Sequence, residues 1–162
     1  MNRNKIKGVL FLLLIAAAGT ATLALAQMKP EDAIRARQSI MRVVALNFGP
    51  VAGMAQGKIP FNKEVFATNA LRLESVWQMN VARFFLPGTD KPVPGSKIAD
   101  FTRAKPEIWS DAGKFKQAKE QADEALAKLA QAARSGDEGA MKSAAGDVGK
   151  ACKNCHDDFR SK

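Results

Sequence analysis

The chain has 162 residues, 46% of them hydrophobic, which is one domain's worth with enough apolar side chains to bury a core of its own. Its formal net charge of +9 makes no strong case for nucleic acid and implies a basic surface that can steer toward acidic partners. Two cysteines and a single histidine are too few for a structural zinc site, which needs four ligands.

Arg3, Lys5 and Lys7 precede the apolar run Val9 to Ala18, and Ala24-Leu25-Ala26 has the small-x-small form of a leader-peptidase site. Residues 1–26 are expected to be a cleaved secretory signal peptide, because the apolar run is short for a membrane span. Taking 26 residues from 162 leaves a mature domain, 27–162, of 136 residues. Loss of the three leader cations brings its charge to about +6.

The mature chain reads as four helices with no convincing strand. Helix one opens at Pro30, a first-turn residue, and Glu31 and Asp32 suit the positive end of its dipole. Its apolar stripe is Ile34, Met41, Val44, Ala45 and Phe48, and Gly49-Pro50 predicts a kink or break before the segment fades near Gly57. Helix two starts around Pro60 or Asn62. Phe66, Ala70, Leu73, Trp77, Val81 and Phe84 follow in steps of three and four, forming one apolar face.

Between Leu86 and Lys105 the pattern is lost to Pro87, Gly88, Pro92, Pro94 and Gly95. So long a connection either crosses the length of a bundle and closes part of a cofactor edge, or is a plain surface loop. Helix three follows Pro106, carries Ile108, Ala112, Phe115, Ala122, Leu126, Leu129 and Ala133, and ends at Ser135-Gly136. Helix four begins near Asp137, a suitable cap, with Met141, Ala145, Val148, Cys152, Cys155 and Phe159 on its apolar stripe.

That last stripe contains Cys152-Lys153-Asn154-Cys155-His156, the Cys-x-x-Cys-His attachment signature of a c-type haem. Two thiols add to the porphyrin vinyl groups and the adjoining imidazole takes an axial place on the iron. On a helix, Cys155 lies about 60° to one side of Cys152 and His156 about 40° to the other, so all three leave one face. A thioredoxin-like pair would want the cysteines at a helix start after a strand, and a disulfide between neighbouring helical cysteines is awkward. One haem c per chain, bound through Cys152 and Cys155 with His156 on the metal, is the reading that also fits export. The haem would lie among the other three helices, and with one histidine in the chain, bis-histidine ligation within a monomer is excluded.

These features resemble the class II cytochromes c, and cytochrome c′ in particular, over essentially all of 27–162. The resemblance rests on the C-terminal haem motif, on Lys29 to Ala33 with Arg37-Gln38, on Pro87-Gly88-Thr89, on Pro106 to Asp111, and on Asp147 through Arg160. It implies an all-α, antiparallel, left-handed four-helix bundle with covalent haem, usually a homodimer meeting through its first two helices. It implies high-spin iron with His156 as the sole protein ligand, Arg37 and Gln38 reaching a haem propionate, Met41 facing the open axial side, and Arg160 beside the proximal ligand. Met41 has two readings, crowding the sixth place or, as in low-spin relatives, ligating through its sulfur. Arg160 also has two, a proximal role or a surface pair with Asp157.

The expected function is a periplasmic haem protein binding nitric oxide, and CO, for sequestration or carriage. An apolar distal side gives oxygen little help, whereas NO bonds strongly without it. The alternative is a one-electron carrier between periplasmic redox partner proteins. Without a distal acid–base pair to cleave an O–O bond, an enzyme is not expected.

Overall fold

The computed structural model describes residues 28–95 and 102–162; residues 1–27 and 96–101 lie outside it, and the expected signal peptide with them. The helices are α1 (Pro30–Ala55), α2 (Lys63–Trp77), a 3-10 turn (Val81–Phe84), the one-turn α3 (Glu107–Ser110), α4 (Ala112–Ser135) and α5 (Glu138–Phe159). The four long ones close a ring in which α1 packs on α2, α2 on α4, α4 on α5, and α5 back on α1. This is an antiparallel four-helix bundle. None of the helices among the described residues is long and apolar enough to cross a membrane.

Side chains cap the starts of three of the four long helices. The Asn62 side chain accepts from the Val65 N–H at 2.9 Å, and that of Asp137 from the Ala140 N–H at 2.6 Å, so α2 and α5 each start on a cap. Gly136 ends α4 in the left-handed region at φ +69°, which lets the chain reverse directly into α5. The interior is filled by Val51, Met54, Phe66, Leu73, Leu129 and Met141, and α4 and α5 add the small side chains Ala122, Ala125, Ala132, Ala144 and Ala145 to the same core.

Five expectations change. Helix one does not break at Gly49-Pro50, because α1 continues through Pro50 to Ala55. The carbonyl that Pro50 cannot serve belongs to Leu46, a residue 70% exposed, where water can take its place. Ala45, assigned to the apolar stripe, is exposed, whereas Val44 and Phe48 do pack on the core.

Helix two stops at Trp77 rather than running to Phe84, because Asn80 turns left-handed at φ 51° and Val81–Phe84 tightens to 3-10 geometry. Val81 is still buried, so the periodicity located the burial but not the break. Helix three is two helices, since Asp111 leaves the helical region and its side chain caps α4 by accepting from the Lys114 N–H at 3.2 Å.

The long connection does not cross the bundle. The Trp109 indole N–H donates to the Phe85 carbonyl at 3.0 Å, so the chain leaves α2 and enters α4 at one and the same end.

Candidate haem centre

The connection and the haem motif share that end. Cys152 and Cys155 are half-buried on α5, with Cys152 packed against the core, and His156 beside them is exposed. Both thiols are free. Burial raises the Cys152 thiol, and burial with the charges of Cys152 and Asp158 pushes the Cys155 thiol up to about 11. A disulfide oxidoreductase lowers its attacking thiol instead, so this pair lacks the feature that thiol exchange uses. Partial burial first, then the Arg160 and Arg103 guanidiniums, hold the His156 imidazole below its ordinary value against the pull of Asp157. The neutral imidazole is the form that binds metal.

Across from α5 lies the first half of α1. A Cβ on Gly149 would stand 3.7 Å from the Phe48 ring, which fixes where the two antiparallel helices touch. From that contact, seven residues back along α1 reach Met41 and seven forward along α5 reach His156. Each step climbs about 10 Å, so Met41 and His156 stand at one level of the bundle. Met41 is half-buried there, on the stripe that Val44 and Phe48 continue into the core. Two thiols, a neutral imidazole and an apolar side chain at the imidazole's height suit a c-type haem lying between α1 and α5.

A cavity of about 310 Å³ lined by Lys114, Gln117, Asn154, Asp157 and Asp158 lies elsewhere, on the flank of α5 turned from the thiols. It is not the haem position.

Arg37, one turn before Met41, is buried, and its donors are engaged with protein groups. Nη1 donates to the Thr89 hydroxyl at 2.6 Å and weakly to the Phe84 carbonyl at 3.5 Å. Nη2 donates to the Thr89 carbonyl and, at 2.6 Å, to the Thr102 hydroxyl. Each hydroxyl passes its own proton on, Thr89 to the Leu86 carbonyl at 2.7 Å and Thr102 to the Thr89 carbonyl at 3.0 Å. The guanidinium also lies over the Phe85 ring, 4.9 Å from its centre. Burial lowers its pKa to about 10, against the raising charge of Asp90, so it stays a cation at neutral pH. Arg37 therefore joins α1 to both described ends of the long connection. Gln38, its neighbour, is half-buried.

Phe85 meets Phe115 of α4 edge to face at 5.1 Å, and Phe115 meets Phe159 of α5 at 5.2 Å. Arg160 is exposed and closes α5: its backbone N–H donates to the His156 carbonyl at 3.1 Å, one turn back, before the chain turns extended. Asp157, its expected surface partner, is bound by Lys153. Thr102, Arg103 and Lys105 gave no signal in the sequence, because what brings them to the site is a pairing of distant segments.

The family model described as Cytochrome C′ matches residues 32–160. The chain belongs to the cytochrome c′ family. It is similar to cytochrome c′ of Rubrivivax gelatinosus, 43% identical over 134 residues that make up 83% of this chain and 98% of that one. The crystal structure of that relative superposes with a TM-score of 0.73, covering 83% of this chain and 98% of the other. A nitric oxide complex of a mutant cytochrome c prime from Alcaligenes xylosoxidans, 34% identical, gives a TM-score of 0.70 with 84% and 98% covered. A carbon monoxide-bound variant of the same protein, 35% identical, gives 0.69 with 83% and 98% covered. Membership in the cytochrome c′ family implies covalently bound haem c, and Cys152 and Cys155 are placed consistently with its attachment.

Proposed function

We propose that this cytochrome c′ carries one haem c on Cys152 and Cys155, with His156 as its single protein ligand, and binds nitric oxide, and CO, outside the cytoplasm for sequestration or carriage. The observation that carries this reading is the level match of Met41 with His156 in a chain that has no second histidine. When bound, the haem would supply an iron able to take a diatomic gas.

The protein's part is to shape the two sides of that plane. His156, held below its ordinary value by partial desolvation and its arginine neighbours, would hold the metal from one side. Met41, apolar and without a proton to give, crowds the other, so a ligand that needs a hydrogen-bond donor gains little there. A site of this make-up binds rather than catalyses. Arg37, Gln38 and the Thr89 turn border the same end and are the groups expected nearest the propionates; Arg37 is suited to that anion by its charge.

Pairing of two copies through α1 and α2 is supported by apolar side chains left in water there, Val43 at 40%, Leu46 at 70% and Val65 at 46% exposure.

The test is the absorption spectrum of the oxidised and reduced protein with and without NO. A Soret shift on adding NO to the reduced protein is expected, and an unchanged band overturns the gas reading. The second reading, a one-electron carrier with Met41 sulfur on the iron, draws on the same half-buried Met41. It requires a low-spin oxidised spectrum with a sulfur-to-iron band that Met41→Leu abolishes; the gas reading requires Met41→Leu to leave the oxidised spectrum high-spin.

A further inference from the structure

The helix that carries the haem motif ends without a cap of its own. α4 closes on Gly136, whose left-handed backbone turns the chain back over the helix end. The tail Arg160-Ser161-Lys162 holds no glycine, and Arg160 leaves α5 in extended backbone. Its N–H still reaches the His156 carbonyl at 3.1 Å, but the next N–H, that of Ser161, turns away to the Arg103 carbonyl at 2.8 Å. The helix therefore leaves the carbonyls of Asp157, Asp158 and Phe159 open at the negative end of its dipole.

One residue from a remote segment takes all three. The Lys105 N–H donates to the Phe159 carbonyl at 3.0 Å, and the Lys105 ammonium donates to the carbonyls of Asp157 at 2.8 Å and Asp158 at 3.1 Å. Pro106 biases Lys105 toward extended backbone, which suits the antiparallel pair that neighbouring Ala104 makes with Arg160. A cation on the last carbonyls is the favourable charge for a helix end, and here it comes from outside the helix. The same turn has a second hold, the Phe159 ring meeting Phe115 of α4 at 5.2 Å. Lys114 also reaches this turn, but through the Asp158 carboxylate, at 3.1 Å, and not through the backbone.

His156 opens that last turn. If the three carbonyls were left to water, the turn would fray from Arg160 backward, and the His156 carbonyl would lose its partner. We propose that Lys105 is the positioning residue for His156, fixing through the three open carbonyls the turn from which the imidazole reaches the metal. This rests on the haem reading above and deepens it, since an imidazole on a frayed turn meets the metal over a spread of distances and tilts. The Cys-x-x-Cys-His motif contains no hint of Lys105.

The experiment compares the haem-loaded chain with Lys105→Met, Lys105→Gln, Lys105→Arg and Lys114→Met. Two quantities are read, hydrogen exchange at the Phe159 and Arg160 amides and the iron–imidazole stretch of the reduced protein by resonance Raman. Lys105→Met keeps the length of the side chain and loses the ammonium. Exchange is expected to quicken about fivefold, as for lost charge-assisted bonds at a partly exposed helix end, and the stretch to broaden. Lys105→Gln, too short to span both carbonyls, moves both readouts the same way and serves where Lys105→Met does not fold. Lys105→Arg keeps a cation there and stays nearer the starting values. Lys114→Met removes a cation from the same turn and leaves both readouts unchanged. A stretch that does not broaden in Lys105→Met or Lys105→Gln overturns the inference even where exchange quickens, because the cap is then structural only. Equal broadening in Lys114→Met also overturns it, because loss of charge alone then suffices. An unsubstituted chain that takes no pigment overturns the haem reading and this one together. The expected broadening in a protein that ignores NO supports this inference while overturning the gas reading.

Discussion

The two ends of the bundle are built by different physics. At the end away from the motif, Val51, Met54, Phe66, Leu129 and Met141 are shut from water, the turn into α5 is a glycine, and α2 and α5 start on side-chain caps. That end is complete as it stands. At the motif end, Cys152, Cys155 and Met41 are only half-buried, and order comes from a buried arginine, three phenylalanines meeting edge to face and a ribbon of tail against connector. The difference separates stability, carried mostly by one end, from ligand chemistry, carried by the other.

The strongest break of that division is at the thiols. Replacing Cys152 and Cys155 with serine is expected to abolish covalent pigment, read by haem staining after denaturing electrophoresis. Hydrogen exchange should then rise at the motif end and stay slow around Leu129 and Met141. Uniform loss of protection would show that the ends are not separable.

Phe66→Ala strikes the other end. Phe66 is 0% exposed, and truncation of such a ring costs about 3–5 kcal/mol, measurable by denaturant unfolding, with the haem spectrum unchanged in the protein that remains folded. Arg37→Gln follows in size. Removing the guanidinium leaves the Thr89 and Thr102 oxygens short of donors, an expected loss of about 1–3 kcal/mol. Exchange should quicken at residues 84–90 and not at the far end.

A smaller loss, about 1 kcal/mol, is expected for Asn62→Ala, which deletes the α2 cap. The gentlest probe is alkaline pH. In the haem-free chain an unfolded thiol gives up its proton near 9, while Cys155 in the fold keeps its proton to about 11. The unfolded state is thus favoured as pH climbs between those values, and stability declines. Thioether formation removes the proton, so the haem-loaded chain should lack this decline.

Much of this was legible in the primary structure. The positions of α1 and α5, the Asp137 cap, the Gly136 stop and the shared face of Cys152, Cys155 and His156 all follow from short-range rules, since helical spacing and capping involve residues at most four apart. Apolar periodicity was less reliable where backbone strain intervenes. It located Val81 in the core but overlooked the left-handed Asn80, because burial recurs through a break as readily as through a helix. Pro50 misled in the opposite sense, since its cost depends on whether water reaches one carbonyl, and only packing decides that.

What the chain determined alone, then, is four amphipathic helices and a Cys-x-x-Cys-His motif on the last of them, because these are properties of neighbours along a helix. What only the tertiary structure decided is which distant groups meet. Arg37 with Thr89 and Thr102, the Phe85–Phe115–Phe159 stack, Met41 level with His156, and Arg103 beside the tail each join segments whose relative placement depends on how the whole bundle closes. Such meetings follow from the packing of every helix on its neighbours, and local spacing carries no trace of them.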